Sequence, residues 1–301
     1  MPSLHGRKHQ APSPVPGGGA FCAPPCYYGV MPSWNVHTAH VQRLFREGSP
    51  ASFGIRDANA FLFGNYVPDI NIGYMVEHPS GILPYRLTHF ADPAHIPIPR
   101  EREFWDTYVE PTLAPADNVP FAPAAITVEE SVRLNAQPLD YELPASAERH
   151  AQVVAELASP EYRASDVVLG AWAHLLCDHE YNKATHAWLQ KYHVEPGEKT
   201  RVRKQDDFLF FGRTLPITLT CEVTDALLAQ AAAFPQYAVC EQDVRASVAS
   251  ATAIVRDNQD NHIEGVPEYT LFTEDFFHEV FEHVTERLAA RLGAYARRHG
   301  L

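Results

Sequence analysis

The sequence predicts an all-α protein, and two kinds of observation lead there. Apolar residues recur at three- and four-residue steps in several long segments, the longest running from Ser165 to about Tyr192 and from Thr273 to His299. Strand signal is weak: FLFF at 208–211 and ITLTCEV at 217–223 are the only candidates, and no internal repeat is present.

Residues 1–30 read as a disordered tail, because PSPVPGGG and APP cannot bury enough apolar surface to form a packed element. Met31 opens the first patterned segment and is an alternative start of the folded part. Ser33 suits a helix N-cap, with Val36, His37, His40, Val41 and Leu44 following on one face. A second helix is expected from Ile55 to Tyr66. It is stopped by Pro68, which leaves Asp69 just beyond the helix end. Residues 76–100 read as a long ordered loop carrying His89, and 111–145 as a Pro-rich excursion. Further helices are expected at Ala145–Leu157, Asp225–Ala233 and Glu241–Asn258. Residues 31–301 are expected to form a single helical domain.

Composition narrows the function classes. A formal charge of −13 over 301 residues argues against duplex nucleic acid or an anionic membrane as resting partner, since phosphate binding wants surplus Lys and Arg. No stretch approaches the ~18 apolar residues of a membrane span. The N-terminus lacks the apolar region of a secretory signal, so the expected location is cytoplasmic and no transmembrane segment is expected. Five cysteines make no secreted-type framework; Cys22 and Cys26 in CAPPC lack a second pair at zinc-site spacing. Sixteen histidines are about twice ordinary usage, which draws attention to metal ligation without establishing it.

The most informative segment is SDVVLGAWAHLLCDH, from Ser165 to His179. His174 and Asp178 stand four apart, so both project from one helix face about a turn from each other. An imidazole nitrogen and a carboxylate oxygen converging from a rigid element suit a divalent cation. The bland alternative is a buried His–Asp hydrogen bond. Three other positions match in character: core-facing His37, Asp69 in GNYVPDI, and His89 in LTHF.

In this order, M-P-S-x-x-x-H, G-x-x-x-P-D-I, H-F and L-G-x-x-x-H-L-x-x-D-H, the combination resembles the zinc-dependent phospholipase C family, in particular its bacterial members that begin M-P-S. The resemblance spans Met31 to about Phe211 in four short motifs. It implies a phospholipase C/single-strand-nuclease-like helical domain with long Pro-rich loops, binding one to three zinc ions or another divalent metal and cleaving phosphodiesters. By motif, Asp69, His89, His174 and Asp178 would share one zinc, and Asp178 would bridge to a second site that uses His37. The family's remaining zinc takes two more His and a Glu, for which His179, His186, His193, Glu195 and Glu198 are poorly spaced. On one continuous helix His186 lies about 120° from His174. Asp206 and Asp207, in KQDDFLFF, resemble an acidic K-x-x-D-F segment and are further candidates beside His186. In secreted members the free N-terminal residue is also a ligand, and here a tail precedes the matching position.

A rival cluster, FHEVFEH at 277–283, pairs His278 with Glu282 and Glu279 with His283 at i,i+4, or is simply the solvated face of a terminal helix. Three functions are compatible with these residues. The first is a metal-dependent hydrolase of a small-molecule or lipid-headgroup phosphate ester or phosphodiester, with metal-activated water as nucleophile and Asp69 accepting its proton. The second is a catalytically inactive metal-binding scaffold of the same fold. The third is a metal-free helical protein with structural His–Asp hydrogen bonds.

Overall fold

The computed structural model describes residues 33–72, 75–76, 82–83, 85–92, 94–112 and 147–301. The Pro/Gly-rich tail, CAPPC and most of the 111–145 excursion lie outside them. Among the described residues every regular element is helical.

Helix α1, Trp34–Glu47, starts where the 3.6-residue pattern starts. Ser33 has the extended backbone of an N-cap, yet its hydroxyl makes no capping bond. After a 3-10 turn at Pro50–Phe53, α2 covers only Ala58–Gly64, because Asp57 caps it by accepting from the Asn59 and Ala60 amides. Pro68 does not end that helix. It sits in the first turn of a separate short helix, α3 (Val67–Ile70), where its missing N–H needs no partner, and Asp69 therefore lies inside a helical turn.

The described part of the 76–100 segment contains one helical turn, α4 (Tyr85–Thr88), with His89 just past its end and Phe90 in the left-handed region at φ 50°. A short helix not expected from the sequence, α5 (Glu101–Phe104), runs on into a widened π turn at Trp105–Val109. Next come α6 (Ala147–Leu157), α7 (Asp166–Lys191), α8 (Glu198–Thr214), α9 (Asp225–Ala232), α10 (Glu241–Asp260) and α11 (Glu274–His299). The strand candidate FLFF lies within α8, where Phe208 and Phe211, three apart, enter the core on one face while Leu209 stays partly exposed. Residues 217–223 form no regular element, and among the described residues no strand pairs with them.

Helix α7 is the axis of the molecule. Ser165 caps it, accepting from the Val168 amide, and Asp166 accepts from the Arg56 and Asp57 amides. Residues all around α7 are buried, as expected of a helix with neighbours on every side. Its closest partner is α2, and the contact is backbone on backbone. A Cβ on Gly170 would stand 2.1 Å from the Phe61 carbonyl oxygen, and one on Gly64 would stand 2.3 Å from the Val167 oxygen. Only glycine at both positions allows that approach. Helices α1 and α11 flank α7, and their aromatic residues, with those of α8, extend one continuous core through Phe208, Phe211, Phe277 and Phe281.

Candidate metal centre

Four elements deliver five side chains to one buried point. Helix α7 contributes His174 and Asp178, α1 contributes His37, α3 contributes Asp69, and His89 follows α4. All five are 3% exposed or less.

One hydrogen bond fixes where the His174 proton is. The Nδ1 of His174 lies 2.8 Å from the Asn65 carbonyl oxygen, which can only accept, so Nδ1 carries the proton. The Gly64/Gly170 contact makes this possible, since it brings the backbone after α2 against α7 one turn before His174. Thr88 Oγ1 lies 2.8 Å from His89 Nδ1 and 3.3 Å from the Tyr85 carbonyl oxygen, and so braces that ring at its Nδ1 side. In the neutral ring the His174 Nε2 is therefore a bare lone pair, and it faces the His89 Nε2 at 3.1 Å.

Carboxylates close the cluster. Asp69 Oδ1 lies 3.4 Å from His89 Nε2, and Asp69 Oδ2 lies 4.0 Å from His174 Nε2. Asp178 Oδ2 is 3.7 Å from His89 Nε2 and 3.8 Å from His174 Nε2, while its Oδ1 is 3.3 Å from His37 Nε2. Two imidazole nitrogens and two carboxylates converging in a low-dielectric interior need a shared proton or a cation among them, and the donor types suit a divalent cation. Two ligands each ~2.0–2.1 Å from one tetrahedral ion lie roughly 3.3 Å apart, close to the spacings seen here. The two donor sets His37/His174/Asp178 and Asp69/His89/His174 each have their ligand atoms within 4.8 Å of one another, so these buried clusters could hold a metal ion.

Supporting groups that the sequence did not flag hold the donors in place. The Trp34 indole N–H donates to Asp69 Oδ2 at 2.9 Å, which leaves Oδ1 toward His89. Tyr85 donates to Asp178 Oδ2 at 3.4 Å and stacks on His89 at 3.8 Å, while His37 stacks on His174 at 4.0 Å. Trp34 had a readable signal, being three residues before His37 on the same helix. The Asn65 carbonyl had none, because its role depends on which helix packs there.

Charge in the cluster follows burial. Desolvation lowers His89 to about 4 and His174 to about 4, against the attraction of Asp178 on both and of Asp69 on His174. The rings are thus neutral and ready to ligate near neutral pH. Burial raises the Asp178 carboxyl, with His174 and His89 opposing and Asp69 adding to the rise. Lys204, buried on α8, is pushed down to about 8 by desolvation, while the Asp178 charge works in the other direction. It supplies a buried cation on the Asp178 side of the cluster, and nothing in its spacing announced that.

The other candidates lie elsewhere. Asp207 is buried, but its carboxylate accepts from the Thr270, Leu271 and Phe272 amides and the Thr270 hydroxyl, tying that loop to α8. Asp206, one residue earlier, points to solvent. His186 bonds to the Ile96 carbonyl at 2.8 Å, and His179 to the Pro99 carbonyl at 2.7 Å. In the terminal helix His278 pairs with Glu274, and His283 reaches Glu180 on α7, so the rival i,i+4 pairs do not form and the solvated-face alternative fits. No family model matches the chain, and no curated protein and no solved structure matches it.

Proposed function

We propose that the chain is a metal-dependent hydrolase of a phosphate ester or phosphodiester, with zinc the metal suggested by the sequence resemblance. The observation that carries the metal reading is the buried convergence of the His89 and His174 Nε2 atoms, 3.1 Å apart, between two carboxylates. His174 has a single free nitrogen, since Nδ1 is committed to Asn65. It therefore serves one ion, and any bridge to a second falls to Asp178, whose two oxygens face different histidines. Asp69, His89, His174 and Asp178 Oδ2 would hold one ion, with Asp178 Oδ1 and His37 reaching a second.

A divalent cation there supplies Lewis acidity toward a phosphoryl oxygen and acidifies water to near neutral pH. The chain's own residues do the rest. Trp34 keeps Asp69 turned so that Oδ1 faces the centre, and Asp69 is the group assigned to take the proton of the attacking water. Asn65 holds the His174 imidazole in one tautomer, and Thr88 orients the His89 ring through Nδ1. Lys204 favours the ionised form of Asp178.

A second reading has its own support. Every ligand is buried, and His186, Asp206 and Asp207 stand away from the cluster, which suits a closed, structural site in a scaffold that does no chemistry. Elemental analysis of tag-free protein beside a His174→Ala/Asp178→Ala variant tests the metal. At least one ion per chain, lost in the variant, supports the centre. Turnover of a chromogenic phosphodiester that needs the metal and fails in the variant selects the hydrolase. A loaded protein without turnover selects the scaffold, and two metal-free samples after reconstitution remove both.

A further inference from the structure

Helix α7 serves a second feature on its other side. Trp172, Leu176 and His179 lie roughly 150° around the helix from His174 and Asp178. They line a cavity of about 320 Å³, closed by Glu101 and Arg102 of α5 and by Arg287 and Arg291 of α11. In a chain whose formal charge is −13, three arginines on one cavity stand out against the composition.

Their partners show which charges are spare. Arg287 bonds to the buried Glu180 carboxylate and lies 3.8 Å from Glu101 Oε1. The other Glu101 oxygen accepts the Trp172 indole N–H at 3.1 Å. The Glu101 carboxylate on the cavity is thus already served by Arg287 and Trp172, and the buried Glu180 beside it by Arg287 and by His283 at 3.3 Å. Arg102 is exposed and has no carboxylate partner among the described residues. Arg291 has none either, and its guanidinium rests over the Trp105 ring at 4.2 Å, a stacking that presets the fork without neutralising it. His179 gives its Nδ1–H to Pro99 and leaves Nε2 on the cavity side, 3.9 Å from Glu180.

We infer that this cavity is a binding site for a small organic oxyanion, a carboxylate or phosphate attached to an apolar or aromatic body. Arg102 and Arg291 take the charged group, and the body lies against Trp172 and Leu176. Guanidinium forks match the paired oxygens of either group. The volume is at the lower end for small-molecule sites, which selects a small metabolite over a polymer. The site is separate from the metal centre and does not rest on the hydrolase reading.

The test is calorimetric titration of the full chain at low ionic strength with isophthalate and with phenylphosphonate, which cannot be hydrolysed, and with phenol as the neutral control. Saturable binding of one anion at least ~10-fold tighter than phenol is expected, and the tighter of the two identifies carboxylate or phosphate. Arg102→Glu, a change at an exposed and unpaired residue, is expected to abolish it, and Arg102→Ala/Arg291→Ala to weaken it at least ~10-fold. The His174→Ala/Asp178→Ala variant is expected to bind within about twofold of the parent. Binding of neither anion overturns the inference. So does binding that survives Arg102→Glu, and binding lost with the His174/Asp178 change would place the anion at the metal centre instead.

Discussion

His40 and His174 are both fully buried and polar, and they differ in what their nitrogens meet. His40 gives its Nδ1–H to Thr285 at 2.9 Å, because the Thr285 proton is directed to the Phe281 carbonyl, and its Nε2 lies 3.1 Å from the Tyr181 hydroxyl. Every lone pair has a proton and every proton a lone pair, so the ring is a finished part of the core. His174 has the same anchoring on one side, to Asn65, but its other nitrogen faces the Nε2 of His89 and two carboxylates, more acceptor capacity than the one proton His89 can offer would satisfy. Burial alone therefore does not separate a ligand from a core histidine. The count of protons against lone pairs does.

The strongest way to break this contrast is to remove one ring from each environment. His89→Ala is expected to weaken metal binding by at least ~100-fold, while His40→Ala costs about 1–3 kcal/mol of stability and leaves metal content unchanged. Metal analysis and thermal melting of the two variants read both effects. If His40→Ala stripped the metal, the distinction would collapse.

Gly170→Ala is expected to be next in size. Its Cβ would meet backbone, 2.1 Å from the Phe61 oxygen, so α2 and α7 must separate. We expect a loss of about 1–3 kcal/mol together with weaker metal binding, since the Asn65 carbonyl would move away from His174. A normal melting temperature with unchanged metal affinity would show that the close approach does not position the site.

Trp34→Phe keeps the packing and removes only the N–H to Asp69, and about tenfold weaker metal binding is expected from competition against a chelator. Unchanged affinity would reduce Trp34 to core.

The smallest expected effect is on pH dependence. His89 and His174 fall to about 4 on folding from an ordinary 6.5, and His40 also falls well below it. The folded metal-free chain binds fewer protons than the unfolded one across that interval. The contribution is complete above 6.5 and is lost as pH falls toward 4. The raised Asp178 works in the opposite sense from 3.8 upward and offsets part of the loss. Melting temperatures of the metal-free protein should decline from pH 7 to 4.5, and a flat profile would contradict neutral buried rings.

Much of the architecture was legible because it rests on local rules. The cap Ser165 and the apolar periodicity placed α7 and α11 almost to the residue. Pro68 misled, because the same lack of an N–H that stops one helix also suits the first turn of another. FLFF misled because four apolar residues in a row fit a buried strand or a core-facing stretch of helix equally well. The described part of the long 76–100 loop holds a single helical turn. No helix of the described residues is long and apolar enough to cross a membrane.

The sequence by itself determined the helical class and, through the i,i+4 geometry of His174 and Asp178, a pair of donors on one helix face. Those follow from backbone periodicity, which acts over a few residues. Only the tertiary structure decided that His37, Asp69 and His89 arrive at the same point, that Asp207 is consumed by the 270–272 amides, and that Asn65 holds the His174 tautomer. Those outcomes depend on how closely helices distant in sequence approach each other. That distance is decided by two glycines facing across α2 and α7, a pairing that no local pattern reveals.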